Sequence, residues 1–266
     1  MNKAVDVVVG SPICRRGAFI IDKFLANQKE IQQNYPSSEL VIATEESDFI
    51  EELGKRLSLY ELRGRVILFE VIKPDYARHR VWSIACGREA LRQYVLFQTA
   101  AGYLLSLDAD ITYDSSIIQI MKKEIKGYDV AISGVAHSQR ALQGGRVTTL
   151  SPVSCSLLAR DTLKKIKLRC YEFRNGEVLD DGIALEMDLI RLRSKIKKGF
   201  FMSICHYKNE CEAVCIDPRP LGLLLRITNS SLVRYGLTRV GIVVRRDISM
   251  RLQVLLYRFL GIIKRI

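Results

Sequence analysis

The sequence predicts an α/β fold in which an open, mostly parallel sheet carries helices on both faces. Two observations predict it. Short runs rich in Val, Ile and Leu alternate with longer segments of helical apolar spacing along the first 110 residues. Runs such as "AVDVVVG" are also apolar at almost every position, which is typical of strands covered on both faces. With 266 residues, 48% of them hydrophobic, the chain can bury a full core.

The first half of the chain predicts four strands and three helices. The strands are 3–10, 39–44, 65–72 and 103–107, and the helices are 18–35, 47–59 and 76–99. Because such an alternation makes neighbouring strands parallel, their carboxyl ends meet at one edge of the sheet. Ligands of sheets of this kind bind outside that edge.

The second half predicts a less regular order. A helix over 114–126, a strand over 129–135, a loop with a Gly-Gly turn and a strand over 151–159 come first. A short helix begins at 161, a longer one runs from Asp180 to about 197, and the strand 200–205 follows. We predict one α/β domain over residues 1–208 and a mainly helical C-terminal extension over 209–266.

Two aspartates follow the predicted strand at 103–107, in the stretch "YLLSLDADITYD". If the chain stays extended, Asp108 and Asp110 point to the same face, and both carboxylates project from one rim. Because an unpaired carboxylate is costly to bury, the pair needs a partner, and Mg²⁺ or Mn²⁺ suits carboxylate oxygens. The alternative is a strand that ends in a solvated acidic turn.

Further polar residues follow other elements of the predicted sheet. Glu45, Glu46 and Asp48 come after the second strand, and the pair Asp180-Asp181 opens a helix. His206 follows the last predicted strand of the domain.

This order of motifs resembles the GT-A-type glycosyltransferases, above all the family-2 kind that uses nucleotide-diphosphate sugars. "LLSLDADI" is similar to the metal-binding Asp-x-Asp strand of that family. "LDDGIALEMDLIRLRSKIKKGFFMSICHYK" is similar to its acidic-pair helix followed by a strand that ends in His-Tyr. The resemblance covers about residues 3–208. It implies a GT-A, Rossmann-like fold and a metal-dependent transfer of one sugar to an acceptor hydroxyl or phosphate.

The resemblance implies a metal site and a general base. Asp110 would be the more direct ligand of Mn²⁺ or Mg²⁺, Asp108 would face the ribose or donor sugar beside the metal, and His206 would be a third ligand. An inverting transfer needs a base for the acceptor hydroxyl, and we predict Asp181, with Asp180 as the alternative. One of these two can instead be the N-cap of its helix.

The resemblance also implies a donor site. Glu45, or Glu46 or Asp48 in its place, would bind the base or ribose, and Pro12 would lie in the donor-binding turn. Arg78, Arg80 and Arg88 lie on the segment before the metal strand, where a guanidinium can reach the diphosphate; the alternative is a solvated helix face. The loop "SPICRRG" departs from the family pattern because it carries a cysteine and two arginines.

The net charge of +12 is concentrated in the C-terminal extension. From Pro218 onward there are ten Arg or Lys residues and one acid, a net of +9, which leaves +3 for the rest of the chain. In "ISMRLQVLLYRFLGIIKRI", arginines recur every seven residues among aliphatics. This pattern favours peripheral binding to an anionic membrane surface, with packing on the domain or in a homodimer as alternatives. Few aromatics accompany the basic residues, so we do not expect nucleic-acid binding.

Localisation is predicted from what the sequence contains. The chain has no run of the length and apolar content of a membrane span, and its seven scattered cysteines favour reduced thiols over a disulfide framework. We therefore expect a cytoplasmic protein on the inner face of a membrane. A zinc site from Cys205, His206, Cys211 and Cys215 is disfavoured, because their spacing matches no usual pattern.

Two other functions fit parts of the sequence. "LLSLDADITYD" also matches the HAD-type phosphatase motif, with Asp108 as nucleophile and Asp110 as acid/base; Ser133 and Lys164 or Lys165 would complete that site. Against it, about 100 residues of strand and helix precede the aspartates, whereas that motif normally opens its domain. A non-catalytic binding protein recruited to membranes by the C-terminal extension is the third candidate.

Overall fold

The structure is a computed structural model. It describes residues 4–77, 79–133, 154–172, 178–197, 204–207, 213–216 and 263–265. Arg78 and most of the C-terminal extension, including Arg251 and Arg258 of its predicted membrane-binding segment, lie outside these residues, whereas Arg265 lies inside them.

Thirteen strands are present among the described residues. They are β1 (Val7–Pro12), β2 (Ser38–Thr44), β3 (Gly64–Leu68), β4 (Tyr103–Leu107), β5 (Ile111–Tyr113), β6 (Val130–Ile132), β7 (Cys155–Ala159), β8 (Tyr171–Glu172), β9 (Val178–Leu179), β10 (Ile196–Lys197), β11 (Ile204–Tyr207), β12 (Ala213–Ile216) and β13 (Ile263–Arg265). The α-helices are α1 (Ile21–Asn34), α2 (Ile50–Leu59), α3 (His79–Gln98), α4 (Ile117–Glu124), α5 (Arg160–Leu163) and α6 (Asp181–Arg191). Short 3₁₀ helices, Arg15–Ile20 and Ser47–Phe49, precede α1 and α2.

The central sheet has seven strands in the order β3-β2-β1-β4-β7-β6-β10. Pairings among β1, β2, β3 and β4 are parallel, as is that of β10 with β6, whereas β7 runs antiparallel to both β4 and β6. Buried clusters cover both faces of the sheet, one against α1, α2 and α4 and the other against α3, α5 and α6. The predicted α/β class, with a mostly parallel sheet and helices on both faces, is confirmed.

Three predicted elements differ from the structure. The third strand ends at Leu68 rather than at 72. Helix α6 ends at Arg191, followed by Arg193 with a φ of 52°, and the residues predicted to finish the helix form the edge strand β10 instead. The two described parts of the C-terminal extension, β12 and β13, are strands and not helices. Strand pairing explains the last difference, because β12 and β13 both extend the sheet that begins with β5.

Helix α3 lies unusually close to the sheet because two glycines remove side chains from the contact. A Cβ on Gly87 would lie 2.9 Å from the Cβ of Pro12 and 3.1 Å from the ring of Phe69. A Cβ on Gly10 in β1 would lie 2.9 Å from Leu104 and 3.1 Å from Leu91 of the helix. Glycine therefore sets the height of α3 above the carboxyl ends of β1 and β4.

The C-terminal end of α3 is fixed by one arginine. The guanidinium of Arg160, at the start of α5, donates hydrogen bonds to the carbonyl oxygens of Val95, Leu96 and Ala101. The last carbonyls of a helix have no partner within it, and a cation there also interacts favourably with the helix dipole. Arg160 thus ties α3 to the turn that leads into β4.

A second, four-stranded sheet runs in the order β13-β12-β11-β5 and lies at the carboxyl end of β4. Strand β5 pairs antiparallel with β11, which sets His206 opposite Ile111. None of the helices in the described residues combines the length and the apolarity needed to cross a bilayer.

Candidate active site

The candidate site lies at the carboxyl ends of β1 and β4. In the order β3-β2-β1-β4, chain connections leave β1 toward one side of the sheet and β4 toward the other. Such a reversal opens a crevice between the two strands, where doubly wound folds bind their ligands. Pro12 ends β1, and Asp108 directly follows β4.

The centre of the site is a buried guanidinium shared by two carboxylates. Arg88, on α3, is 4% exposed. Its Nη1 donates a hydrogen bond of 2.5 Å to Oδ2 of Asp181, and its Nη2 donates one to Oδ1 of Asp108. One side chain therefore joins the strand-end aspartate to the first residue of α6, although 73 residues separate these aspartates in the chain.

The position of Arg88 follows from its helical spacing. Ala85, Arg88, Arg92 and Val95 are buried residues of α3 and recur every three or four positions, so Arg88 belongs to the face that packs on the sheet. Of the two predicted positions for this arginine, near the diphosphate or on a solvated helix face, the solvated face is excluded. Among the described residues, its Nε–H has no acceptor.

The charged groups at this centre shift one another's pKa values. Burial lowers the pKa of the Arg88 guanidinium, but attraction from Asp181 and Asp108 outweighs burial and raises that pKa above its ordinary value. Burial raises the pKa of Asp108, as does the nearby Asp110 carboxylate, while Arg88 opposes both effects. Asp108 is thus a strongly perturbed group in a crevice, a combination that marks functional sites.

The two aspartates of the "DAD" motif do not face the same partner. We expected an extended chain with both carboxylates on one face, and this is wrong, because the chain turns at Ala109–Asp110 before β5 begins. Asp108 points to Arg88, whereas Oδ2 of Asp110 lies 3.3 Å from Nε2 of His206. The turn is held by the second sheet, since the backbone N–H of Tyr207 donates to the carbonyl of Asp110.

The backbone at Asp108 is supported from the opposite side of the strand. Its N–H lies 3.3 Å from both the Ser154 carbonyl and the Tyr113 hydroxyl. The Tyr113 hydroxyl donates to the same Ser154 carbonyl at 3.0 Å, and burial raises the pKa of Tyr113 well above its ordinary value. Tyr113 and Ser154 were not predicted as site residues, because their link to Asp108 depends on β7 lying beside β4.

The acidic pair at the start of α6 divides into two structural roles. Asp180 is the N-cap, and its Oδ1 accepts a hydrogen bond of 2.9 Å from the N–H of Ile183. Asp181 is the first helical residue and points inward to Arg88. The capping alternative therefore applies to Asp180 and leaves Asp181 as the carboxylate inside the site.

Glu45, after β2, faces the first turns of α3. Ser83 Oγ donates to its Oε1 at 2.9 Å, and Nε2 of His79 lies 2.8 Å from its Oε2. Ser83, which binds Glu45, and Arg88 therefore lie on the same helix, about one and a half turns apart. No sequence pattern indicated His79 or Ser83 as partners of Glu45.

The other two acidic residues after β2 bind an arginine of the first loop. The backbone N–H of Arg15 donates to Glu46, and its guanidinium pairs with Asp48 at 2.9 Å and with Glu52 at 3.1 Å. The same guanidinium lies 4.7 Å from the ring centre of Phe49. Asp48 is thus engaged at the surface, whereas Glu45 lies closer to the crevice.

The remaining predicted donor residues lie apart from the shared guanidinium. Pro12 packs against Gly87, the neighbour of Arg88, and Arg80 is exposed on the first turn of α3.

Two buried hydroxyls, those of Ser106 and Ser156, have no hydrogen-bond partner among the described residues. These serines lie side by side in β4 and β7, next to Gly10, and form a small polar floor.

Asp110 and His206 fit a divalent cation as a pair of ligands. Their facing atoms are 3.3 Å apart, close to the roughly 3 Å between adjacent ligands that each lie about 2.1 Å from an octahedral ion. Asp110 is 43% exposed and His206 16%, so the pair is open to solvent on the carboxylate side. The described residues hold no cluster of three or more metal-binding side chains.

Cysteine chemistry differs from the expectation at one position. Cys14, Cys86, Cys155 and Cys170 are free thiols, as expected, but Cys205 is disulfide-bonded. A disulfide sulfur has no thiolate to offer, which removes Cys205 from the zinc set considered above. Cys211 lies outside the described residues.

Comparison with known proteins gives structural neighbours only. No family model matches the sequence, and no curated protein matches it. Among solved structures, S. aureus TarS 1–349 in complex with UDP-GlcNAc aligns at 13% identity and a TM-score of 0.48, over 73% of this chain and 56% of that one. S. aureus TarS aligns at 16% identity and 0.49, over 74% and 36%, and TarS 1–349 in complex with UDP at 15% and 0.48, over 73% and 57%. The match therefore spans little more than half of the TarS 1–349 chains.

Proposed function

We propose that this chain is a glycosyltransferase that moves one sugar from a nucleotide-diphosphate donor to an acceptor hydroxyl or phosphate. The observation that carries the proposal is the pairing of Asp108 and Asp181 through Arg88, at the switch point between β1 and β4, beside the Asp110–His206 pair. One edge of the sheet therefore carries a crevice of the kind that binds nucleotides, a pair of side chains suited to a cation, and the Asp181 carboxylate opposite them.

Asp110 and His206 would hold Mn²⁺ or Mg²⁺, with Asp108 next to them. Bound there, the cation would neutralise charge on the departing nucleoside diphosphate. Asp108, fixed by Arg88 and by its backbone contacts to Tyr113 and Ser154, would then face the ribose or the donor sugar. The Nε–H of Arg88, which has no acceptor in the part of the chain that the structure describes, is suited to an anionic group, and this supports its predicted part in diphosphate binding.

Glu45 would accept hydrogen bonds from the base or ribose hydroxyls at the β2 side of the crevice. It competes there with Ser83 and His79, which hold both of its oxygens in the structure. Asp48, bound to Arg15 at the surface, is a weaker candidate for the same role.

Asp181 would take the proton of the acceptor hydroxyl as that hydroxyl attacks the sugar carbon, which gives inversion. Its place at the start of α6 supports this role, because backbone N–H groups and the helix dipole favour an anion there. Arg88 orients the carboxylate by binding its Oδ2. The acceptor, whether glycan, lipid or protein, is left open, and membrane binding through residues 218–266, dimer formation and a cytoplasmic location remain predictions.

The phosphatase alternative has less support in the structure. A nucleophilic Asp108 would attack phosphate through a carboxylate oxygen, and Arg88 holds one of its two oxygens, Oδ1. Lys164, a candidate for the lysine of that site, pairs with Asp161 at the exposed surface of α5.

Calorimetric titration tests the proposal. UDP and GDP are titrated into the full chain with and without Mn²⁺, and the titrations are repeated with Asp110→Asn and with Asp161→Asn as a matched surface control. We expect metal-dependent binding of one nucleotide that Asp110→Asn removes and Asp161→Asn retains. If neither nucleotide binds in the presence of metal, the proposal fails, and hydrolysis of p-nitrophenyl phosphate that depends on Asp108 would establish the phosphatase instead.

A further inference from the structure

Helix α6 is apolar on its solvent side as well as on its buried side. Its inner face buries Ala184, Leu185 and Leu189 against the sheet. On the outer face, Ile183, Met187 and Ile190 are exposed by 42%, 54% and 68%. A surface helix of a soluble domain normally carries polar residues on this side, so the outer face needs its own explanation.

The three exposed side chains form one continuous ridge. At 3.6 residues per turn, positions 183, 187 and 190 lie within about 60° of one another around the helix. The other large exposed apolar side chains of the described residues are distributed over separate elements, as for Leu59 on α2 and Phe97 on α3. Single exposed apolar residues are ordinary, whereas a contiguous apolar strip marks an interaction surface.

Cations cluster at one end of the ridge. Arg191, Arg193 and Lys195 are all exposed and follow Ile190 directly. Glu186 lies on the flank of the strip, and the Asp129 carboxylate accepts a hydrogen bond from the backbone N–H of Lys195. Arg191 lies 3.6 Å from Asp188, but that carboxylate is already bound by both Nη atoms of Arg169. The surface thus presents an apolar strip that ends in a group of positive charges.

From this arrangement we propose that the outer face of α6 binds an anionic lipid surface. Apolar side chains next to exposed arginines and lysines match the boundary between acyl chains and negatively charged headgroups. A protein partner or a second copy of the chain would also cover apolar side chains, but the charges at Arg191, Arg193 and Lys195 repel their own copies in a symmetric pair that brings them together. The lipid surface satisfies both the strip and the charges.

This surface belongs to a different part of the sequence from the C-terminal extension, and the proposal does not depend on the transferase chemistry. Asp181 begins the same helix and points to its opposite side, so about one helix diameter, roughly 10 Å, separates it from the lipid-facing ridge. If the proposed transfer also holds, the site opens beside the membrane, where a lipid-linked acceptor hydroxyl or phosphate would be held.

A tryptophan placed on the ridge gives a test that binding through the C-terminal extension cannot imitate. Ile190→Trp and, as a matched exposed control on α3, Phe97→Trp are made in the full chain. Both are mixed with vesicles of phosphatidylcholine and phosphatidylglycerol whose acyl chains carry bromine, a quencher that acts only at close contact. We expect quenching of the added emission in Ile190→Trp and not in Phe97→Trp. Equal quenching of both, or none in Ile190→Trp, would overturn the proposal.

Vesicle sedimentation tests the same surface without an added probe. We expect the triple variant I183S/M187S/I190S to lose about tenfold in partition to the anionic vesicles, and the control L59S/I72S/F97S to keep the wild-type value. Replacing Arg191, Arg193 and Lys195 by Gln should lower partition about fivefold per charge. Partition to pure phosphatidylcholine equal to that of the anionic vesicles would refute the anionic assignment. If the ridge variant changed the sedimentation coefficient of the free protein but not its partition to vesicles, the ridge would bind a second copy of the chain, and the lipid proposal would be refuted.

Discussion

Asp108 and Asp181 bind the same buried guanidinium, that of Arg88, one on each of its terminal nitrogens. Both carboxylates face the crevice, Asp181 buried and Asp108 partly buried, and a single guanidinium charge lies between the two. Since the ends of β4 and α6 meet through this one side chain, the integrity of the site and the stability of the fold depend on the same contact.

Removal of that guanidinium is expected to be costly. Arg88→Met leaves the buried carboxylate of Asp181 and the partly buried one of Asp108 without their cation, and we predict a loss of about 4 kcal/mol in the free energy of unfolding. Urea denaturation measures it, with Arg80→Met on the exposed first turn of α3 as a control that changes stability by less than about 0.5 kcal/mol. Adding Asp108→Asn and Asp181→Asn to Arg88→Met should recover part of the loss. No recovery would mean that the ion pairs are not its cause.

The two aspartates that open α6 should separate in function. Asp180→Ala removes the N-cap and should cost about 1 kcal/mol of stability while turnover is retained. Asp181→Asn should lower kcat by a factor of about 10² to 10⁴ while nucleotide affinity, measured by calorimetry, is kept. The reverse pattern, with turnover lost in Asp180→Ala and kept in Asp181→Asn, would assign the base to the capping residue.

Close packing of α3 on β1 predicts opposite outcomes for two Gly→Ala substitutions. Gly87→Ala places a methyl group 2.9 Å from the Cβ of Pro12, which is held by the sheet, and should cost about 2 kcal/mol. Gly54→Ala in α2 meets no atom within 4 Å and should gain about 0.5–1 kcal/mol, because alanine is the better helix former. Urea denaturation of the two variants compares them. A stable Gly87→Ala would show that α3 is free to move away from the sheet.

Lowering the pH should remove the stabilisation that a second ion pair, partly buried Arg169 with buried Asp188, gives to the fold. Hydrogen bonding from Arg169 lowers the pKa of Asp188 below its ordinary value of 3.8, so the stabilisation is complete above pH 3.8 and is lost as pH falls through the lower, folded-state pKa. At neutral pH, Arg169→Met leaves the buried Asp188 carboxylate without this cation and should lower the free energy of unfolding by about 3 kcal/mol.

The difference between Arg169→Met and the wild type should shrink in denaturant titrations as pH falls below 3.8 and through the lower folded-state pKa of wild-type Asp188, where that carboxylate becomes protonated. Lys164→Met, which breaks the exposed pair with Asp161, is the matched control and should change stability by at most about 1 kcal/mol at either pH. A loss for Arg169→Met that is the same at both pH values would argue against an ionic cause.

The strands and helices of the first half were predictable because each carries its own periodicity. The runs that became β1, β2 and β4 are apolar at nearly every position, and no distant contact is needed to recognise them. The ends of elements were less predictable. The residues after Arg191 continue a helical pattern, yet they join β6 as an edge strand, a pairing that local sequence does not contain.

The same distinction holds for the candidate site. Asp108, Asp110 and Asp181 were predictable as carboxylates at the ends of elements. Their partners were not, because Arg88 reaches Asp181 only through the order of the sheet, and the turn that separates Asp110 from Asp108 is imposed by β11, more than 90 residues later. Sequence periodicity did indicate the buried face of α3, and that signal was available for Arg88.

Helix α3 contacts Glu45 through Ser83, and it contacts Asp108 and Asp181 through Arg88. Each added residue turns a helix by about 100°, so the five-residue interval between Ser83 and Arg88 fixes the angle between the two contacts. An insertion or deletion inside this interval would swing one contact away from the crevice, whereas a change in the loop before His79 would leave both in register. Among descendants of this chain, length changes should therefore accumulate before α3 and be absent between these two positions.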